Sequence, residues 1–325
     1  MILLKWSENE AEAFLRAMHT VASQGGTVPL EDIDLEVLDS TARHILHRDL
    51  DPAGLAPISG QELARAIPEP ERRLQALEFA LLMPYVPGEL HPGRVKTADI
   101  LADALGIHPK EQSQLHQVRD GHLKRLLFDH ARKTLHDYMP GDTTAQRLRS
   151  LIGYSLDHLG DDEVANRYRR LGDLQEDTLG YALLRFWRDR GFQVPGEQGG
   201  FGDFLVPHDA SHLISGLNTD LPGEIGLAAF EAGMCRSEFA YQILIVVILE
   251  FHLGIRLYYP PQEGGLDPEQ MTVGLELGAQ MNRDLCKNWD WWADLETPLP
   301  ELRSRFGLPP NEQIVLAPPP PHDAV

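Results

Sequence analysis

Cysteine is almost missing from this chain, with Cys235 and Cys286 alone in 325 residues. The two lie far apart and without ligand spacing, which excludes a disulfide scaffold and a cysteine-based metal cage and suits a reducing compartment. Positive charge is scarce too. Lys and Arg number 29 against 49 Asp and Glu, giving a formal net charge of −20. Such a chain repels phosphate backbones, and pairs such as Lys124-Arg125 and Arg169-Arg170 are too short to form a basic stripe, so nucleic acid is excluded as a partner. Long apolar runs are absent. The most apolar stretch, Ile243 to Leu249, is stopped by Glu250 and falls far short of the about 20 residues that a bilayer span needs. It reads as a core helix. The opening Met1 to Trp6 is too short and too soon followed by acids to be a signal peptide. The expected location is the cytoplasm, with at most peripheral contact with the inner membrane.

Strand-type alternation between hairpin turns is also missing, and what fills its place is helical periodicity. Ala11, Phe14, Leu15, Met18 and Val21 mark one helix over Glu8 to Val21. The same spacing predicts helices over Asp32 to Leu50, Glu71 to Leu82, Thr97 to Leu105 and Gln112 to Met139. The fold class is therefore all-α. Pro140 and Gly141 interrupt the pattern and divide the chain into two helical domains, 1–140 and 141–316. A tail over 317–325 follows, where four consecutive prolines, Pro318 to Pro321, exclude helix.

The chemistry-bearing residues gather in the second domain. His208 and His212 are four apart, a spacing that places two imidazoles on one helix face. Asp209 lies between them, and Glu224 follows just past Pro222-Gly223, in the first turn of the next predicted helix. A carboxylate there sits at the positive end of the helix dipole and can point back at the imidazoles. Two imidazoles and a carboxylate form a ligand set for zinc or iron that leaves positions open for a substrate. Adjacent helical residues point about 100° apart, so Asp209 is either a direct ligand or an acceptor for an imidazole N–H.

From about Leu151 the chain resembles the helical ubiquinone-biosynthesis family whose members organise the coenzyme Q assembly complex. The resemblance is carried by Asp177-Thr178-Leu179-Gly180, by the His-Asp-x-x-His motif of His208 to His212 with Glu224, by Gly223-Glu224-Ile225 leading into Phe230-Glu231, and by the closing Leu299 to Leu308 helix. Ser211 stands where that family carries a bulky side chain. The resemblance implies that His208, Asp209, His212 and Glu224 hold a divalent metal ion. It also implies that the ring carboxylate of a polyprenylated 4-hydroxybenzoate precursor is replaced by a hydroxyl. The first domain resembles the TerB-like helical bundles over Leu81 to Leu90 and Ala98 to Ile107.

A prenyl tail needs apolar surroundings, since each CH₂ removed from water gains about 0.8 kcal/mol. Phe230, Tyr241, Ile243 and Val247 are the expected lipid-binding residues, and plain core packing accounts for the same positions. Trp289, Trp291 and Trp292 suit either a membrane surface or a core. The expected partners are a prenylated aromatic lipid, other quinone-biosynthesis proteins and a second copy of the chain. Three functions fit these residues: a metal-dependent oxidative decarboxylase, a non-catalytic prenyl-lipid-binding scaffold, and a metallo-phosphohydrolase. The last requires an additional upstream His that the motif does not supply.

Overall fold

The structure, a computed structural model, describes residues 3–137, 160–200, 202–235, 240–257, 263–285, 287 and 289–309. The domain boundary expected near residue 140 and the proline tail lie outside the described residues. Among those described there are no strands beyond two isolated bridges, Thr178 with Pro298 and Leu253 with Glu263. The all-α expectation holds.

Local sequence accounts for most of the helix ends. Helix α1 (Glu8–Ala22) begins where the Glu10 carboxylate accepts from the Ser7 N–H at 3.1 Å, one of the donors that a helix start leaves free. Helix α2 (Asp32–Ser40) does not run to Leu50. It passes into a π-helical turn, Thr41–Ile45, and stops. Helices α3 (Gly60–Ala66), α4 (Pro70–Ala80) and α5 (Pro92–Leu105) follow. Prolines in the first turns of α4 and α5 start them earlier than periodicity suggests, because a proline there forfeits no hydrogen bond. The single helix expected over Gln112 to Met139 is two, α6 (Lys110–Arg119) and α7 (Leu123–Asp137). Gly121 separates them at φ +71°, a left-handed conformation that glycine adopts without strain.

The second half comprises α8 (Asp162–Arg169), α9 (Leu179–Asp189), α10 (Val206–Ser215), α11 (Leu221–Met234), α12 (Ala240–Phe251), α13 (Pro268–Gln280) and α14 (Leu299–Arg305). Helix α12 is buried along nearly its whole length, as its unbroken apolar sequence requires. No helix among the described residues is long and apolar enough to cross a membrane.

Two hydrophobic cores meet at α11. The larger combines α1–α6 and the start of α7 with Ile225, Ala228, Ala229 and Ala232 of α11 and with parts of α12 and α13. The smaller takes Leu227, Phe230 and Met234 from the same helix and packs them with α8–α10, α14 and Trp289 and Trp291. Both of those tryptophans are buried, so packing is their role in this fold. Tyr241 and Ile243 are buried in the larger core, with Val247 packed partly buried against it. Inside that core Arg94 donates to both carboxylate oxygens of Asp34, at 2.6 and 2.8 Å, and both side chains are almost fully enclosed.

Helix α11 is fixed by α13 through backbone contact. Gly226 and Gly233 on one helix face Gly274 and Gly278 on the other. A Cβ on Gly274 would lie 2.2 Å from the Gly226 carbonyl oxygen, and one on Gly278 would lie 2.0 Å from the Phe230 carbonyl oxygen. Neither neighbour is a side chain that can swing aside. Overpacking of this kind costs about 1–3 kcal/mol or more, so Gly278→Ala is expected to lower the thermal midpoint by several degrees. An unchanged midpoint in calorimetry would show that the two helices separate freely.

One acid opposes folding. Burial, reinforced by the nearby Glu111 carboxylate, raises Glu78 from 4.5 to about 7. The folded chain therefore keeps this proton over a window in which the unfolded chain has released it, and stability falls as pH rises from 4.5 to about 7. The loss is on the order of 3 kcal/mol. Glu78→Gln should flatten this slope, stabilising the protein above neutrality and changing little in acid, as read by urea denaturation across the pH range.

Candidate metal centre

The site is built from one face of α10 and the beginning of α11. Val206-Pro207 starts α10 and Gly216, at φ +83°, ends it, so His208 and His212 sit one turn apart on the same face. The connection is short. Asp220 caps α11 by accepting from the Gly223 N–H at 2.9 Å, which places Glu224 in the first helical turn as the sequence predicts. Helix α10 is steadied at its far end by the buried Arg303, which donates to the Ile214 carbonyl where the helix leaves its acceptors unpaired.

His208, His212 and Glu224 converge, with one donor atom from each lying within 4.8 Å of the others. His208 Nε2 is 3.6 Å from Glu224 Oε2, and His212 Nε2 is 3.4 Å from Glu224 Oε1. A tetrahedral ion held at about 2.1 Å would space its ligand atoms about 3.4 Å apart. Two of the three separations are near that value, so the cluster could hold a divalent ion.

The outward nitrogens of both rings strengthen that fit. His212 Nδ1 lies 2.9 Å from the Leu217 carbonyl oxygen. A carbonyl only accepts, so Nδ1 carries the proton and the Nε2 lone pair faces Glu224. His208 Nδ1 lies 3.0 Å from Glu231 Oε1, which assigns its tautomer in the same way. Two lone pairs and a carboxylate therefore point into one space. Only positive charge reconciles them, either protons on the rings or a metal ion.

On His208, a proton takes that place. Burial works against a charged imidazole, but hydrogen bonds with Glu224 and Glu231 outweigh it and hold His208 well above its usual range. Burial likewise raises a carboxylic acid, yet the two imidazoles hold Glu224 well below the ordinary carboxylate value. The rings differ in access. The His212 side chain is 1% exposed and that of His208 is 39% exposed, so solvent reaches the trio from the His208 side. Phe186 stacks on the His212 ring with centroids 5.7 Å apart, and the Arg190 guanidinium lies 4.2 Å from the Phe186 ring on its way to Thr219.

Asp209 is not in the trio. Its Oδ2 accepts from the Trp187 indole N–H at 2.7 Å, the acceptor position that an i+1 neighbour of a ligand permits. Burial raises its pKa, opposed by the charge of His208 and the indole hydrogen bond. His252 is also elsewhere, with Nε2 on the Val86 carbonyl at 2.9 Å and Nδ1 accepting from the Leu266 N–H. Its role is structural. Glu231, for which spacing alone suggested no role, lies seven residues beyond Glu224 and so two turns along the same helix. Trp187 was missed altogether. Nothing in its sequence context marks an indole that reaches a carboxylate 22 residues away.

No family model and no curated protein matches the chain. A crystal structure from Nostoc punctiforme PCC 73102, provisionally named a ubiquinone biosynthesis protein, aligns with 70% of this chain and 96% of its own length, at 19% identity and a TM-score of 0.31. It is a distant structural neighbour.

The bond between Trp187 and Asp209 makes a test of this arrangement. Trp187→Phe keeps an aromatic ring in the core and removes the donor. A buried acceptor left without its partner costs about 1–3 kcal/mol, and a loss of that size is expected in chemical denaturation. Wild-type stability in the variant would mean that the indole hydrogen bond does not restrain Asp209.

Proposed function

We propose that this protein binds one divalent metal ion through His208, His212 and Glu224 and acts on a prenylated aromatic precursor of the quinone type. The single observation that carries the metal reading is the convergence of both imidazole lone pairs on Glu224, with their other nitrogens tied to Leu217 and Glu231. Zinc and iron both accept this donor set. An ion there would supply Lewis acidity and, if it is iron, redox capacity.

The substrate class rests on the resemblance of the His208 to Glu224 motif to the ubiquinone-biosynthesis family. In the reaction that resemblance implies, the ring–carboxyl bond breaks and the carboxyl leaves as CO₂. One oxygen atom of dioxygen becomes the ring hydroxyl, and the other leaves as water after an external donor delivers two electrons and two protons. This chain's contribution to that chemistry is to keep both Nε2 atoms facing inward, to place a carboxylate between them, and to leave the His208 side accessible.

A second reading has support from the same contacts. The trio already joins α10 to α11 through His–Glu contacts at 3.4 and 3.6 Å, which suits a scaffold in which the cluster only staples two helices. Elemental analysis separates the presence of metal from its absence: purified protein should carry about one equivalent of zinc or iron, as expected for a preformed three-donor site. The His208→Ala/His212→Ala double variant should carry none. Metal-free parent protein that takes up neither ion on incubation would sink the metal reading. Metal retained without turnover of prenylated hydroxybenzoates, alongside intact prenyl-lipid binding, would establish the scaffold.

A further inference from the structure

Helix α11 presents two carboxylates to the imidazole of His208. Glu224 faces its Nε2 at 3.6 Å and Glu231 faces its Nδ1 at 3.0 Å. The Glu231 side chain is 12% exposed, so its end of this part-buried hydrogen bond is screened from water. His212 has no such partner and leans on a neutral carbonyl instead. The two imidazoles are thus held differently: the enclosed ring by a dipole, the accessible ring by a full negative charge.

We infer that Glu231 is the positioning residue of this site, an outer carboxylate that fixes the tautomer of His208 and strengthens it as a ligand. The inference rests on the metal reading for its consequence and on the hydrogen bond alone for its geometry. An anionic acceptor on Nδ1–H pushes electron density toward Nε2 and prevents the ring from turning. His208 needs that restraint more than His212, because its side chain is 39% exposed while Phe186 stacks on the buried His212 ring. Among the described residues the donor trio excludes Glu231, which fits an outer role. The glycine contacts with α13 set the height of α11, so they place Glu224 and Glu231 together as one rigid pair.

Removing an outer-shell partner of this kind typically lowers metal affinity about 10–100-fold. The experiment compares parent, Glu231→Ala, Glu231→Gln and Glu231→Asp in the full chain with two readouts. The first is zinc affinity by chelator competition. Glu231→Ala should lose about 10–100-fold, with Asp recovering part of the loss and Gln less than Asp. The visible spectrum of the cobalt-substituted protein should shift in Glu231→Ala, which loss of stability alone would not produce. The second readout is ¹⁵N NMR of the histidine rings in metal-free protein at alkaline pH. His208 should carry its proton on Nδ1 in the parent and redistribute it in Glu231→Ala. This readout needs no metal, so failure of the metal reading and failure of this inference are distinguishable. Equal zinc affinity across the series, or a His208 protonated on Nε2 in the parent, would overturn the role of Glu231.

Discussion

The contact on which the site depends is the approach of α11 to α13 without side chains between them. Gly226, Gly233, Gly274 and Gly278 let backbone meet backbone, and that closeness leaves α11 little freedom to slide or rotate. Both carboxylates facing His208 ride on α11. A helix pair packed through larger residues would stand farther apart, at the usual 8–10 Å between axes, and Glu224 would withdraw from the imidazoles. The geometry of the trio is therefore decided some distance from the trio, by the absence of Cβ atoms at four positions.

Around that contact, each member of the trio is constrained from a different direction. His212 is pinned by a carbonyl and a stacked phenyl ring, and Arg303 steadies the end of its helix from α14. Glu224 is set by the Asp220 cap and the short loop behind it. His208 depends on Glu231. These restraints hold two imidazoles and a carboxylate face to face. The raised His208 and lowered Glu224 titrations show that the imidazole and the carboxylates attract one another there, against the cost of burial.

Much of this was legible in the sequence, for identifiable reasons. Helical periodicity is a local property, so the all-α class and the apolar α12 could be read directly. Pro222, Gly223 and the i,i+4 histidines are local signals as well, and they placed Glu224 in a first helical turn opposite two imidazoles. The Trp187 bond to Asp209 and the Arg94–Asp34 pair across 60 residues are made by distant partners and escaped such local reading. The split between α6 and α7 falls at Gly121, a local signal that helical periodicity overran. Asp209 shows the boundary well. Spacing limited it to ligand or acceptor, and only the position of Trp187, 22 residues upstream, shows it accepting from an indole.

Helix α11 also serves as a party wall. One side of it closes the core built by the first 126 residues, and the other closes the core that encloses the histidines. Protein engineering has to respect that shared wall. A fragment beginning after residue 140 would keep every donor atom of the trio and yet present Ile225, Ala228, Ala229 and Ala232 to water, together with much of α12. The N-terminal helices are, in this sense, a permanently attached chaperone for the helix that carries the carboxylates. Insertions and deletions between the two halves would be felt at Glu224 as changes in packing, with no residue of the site altered.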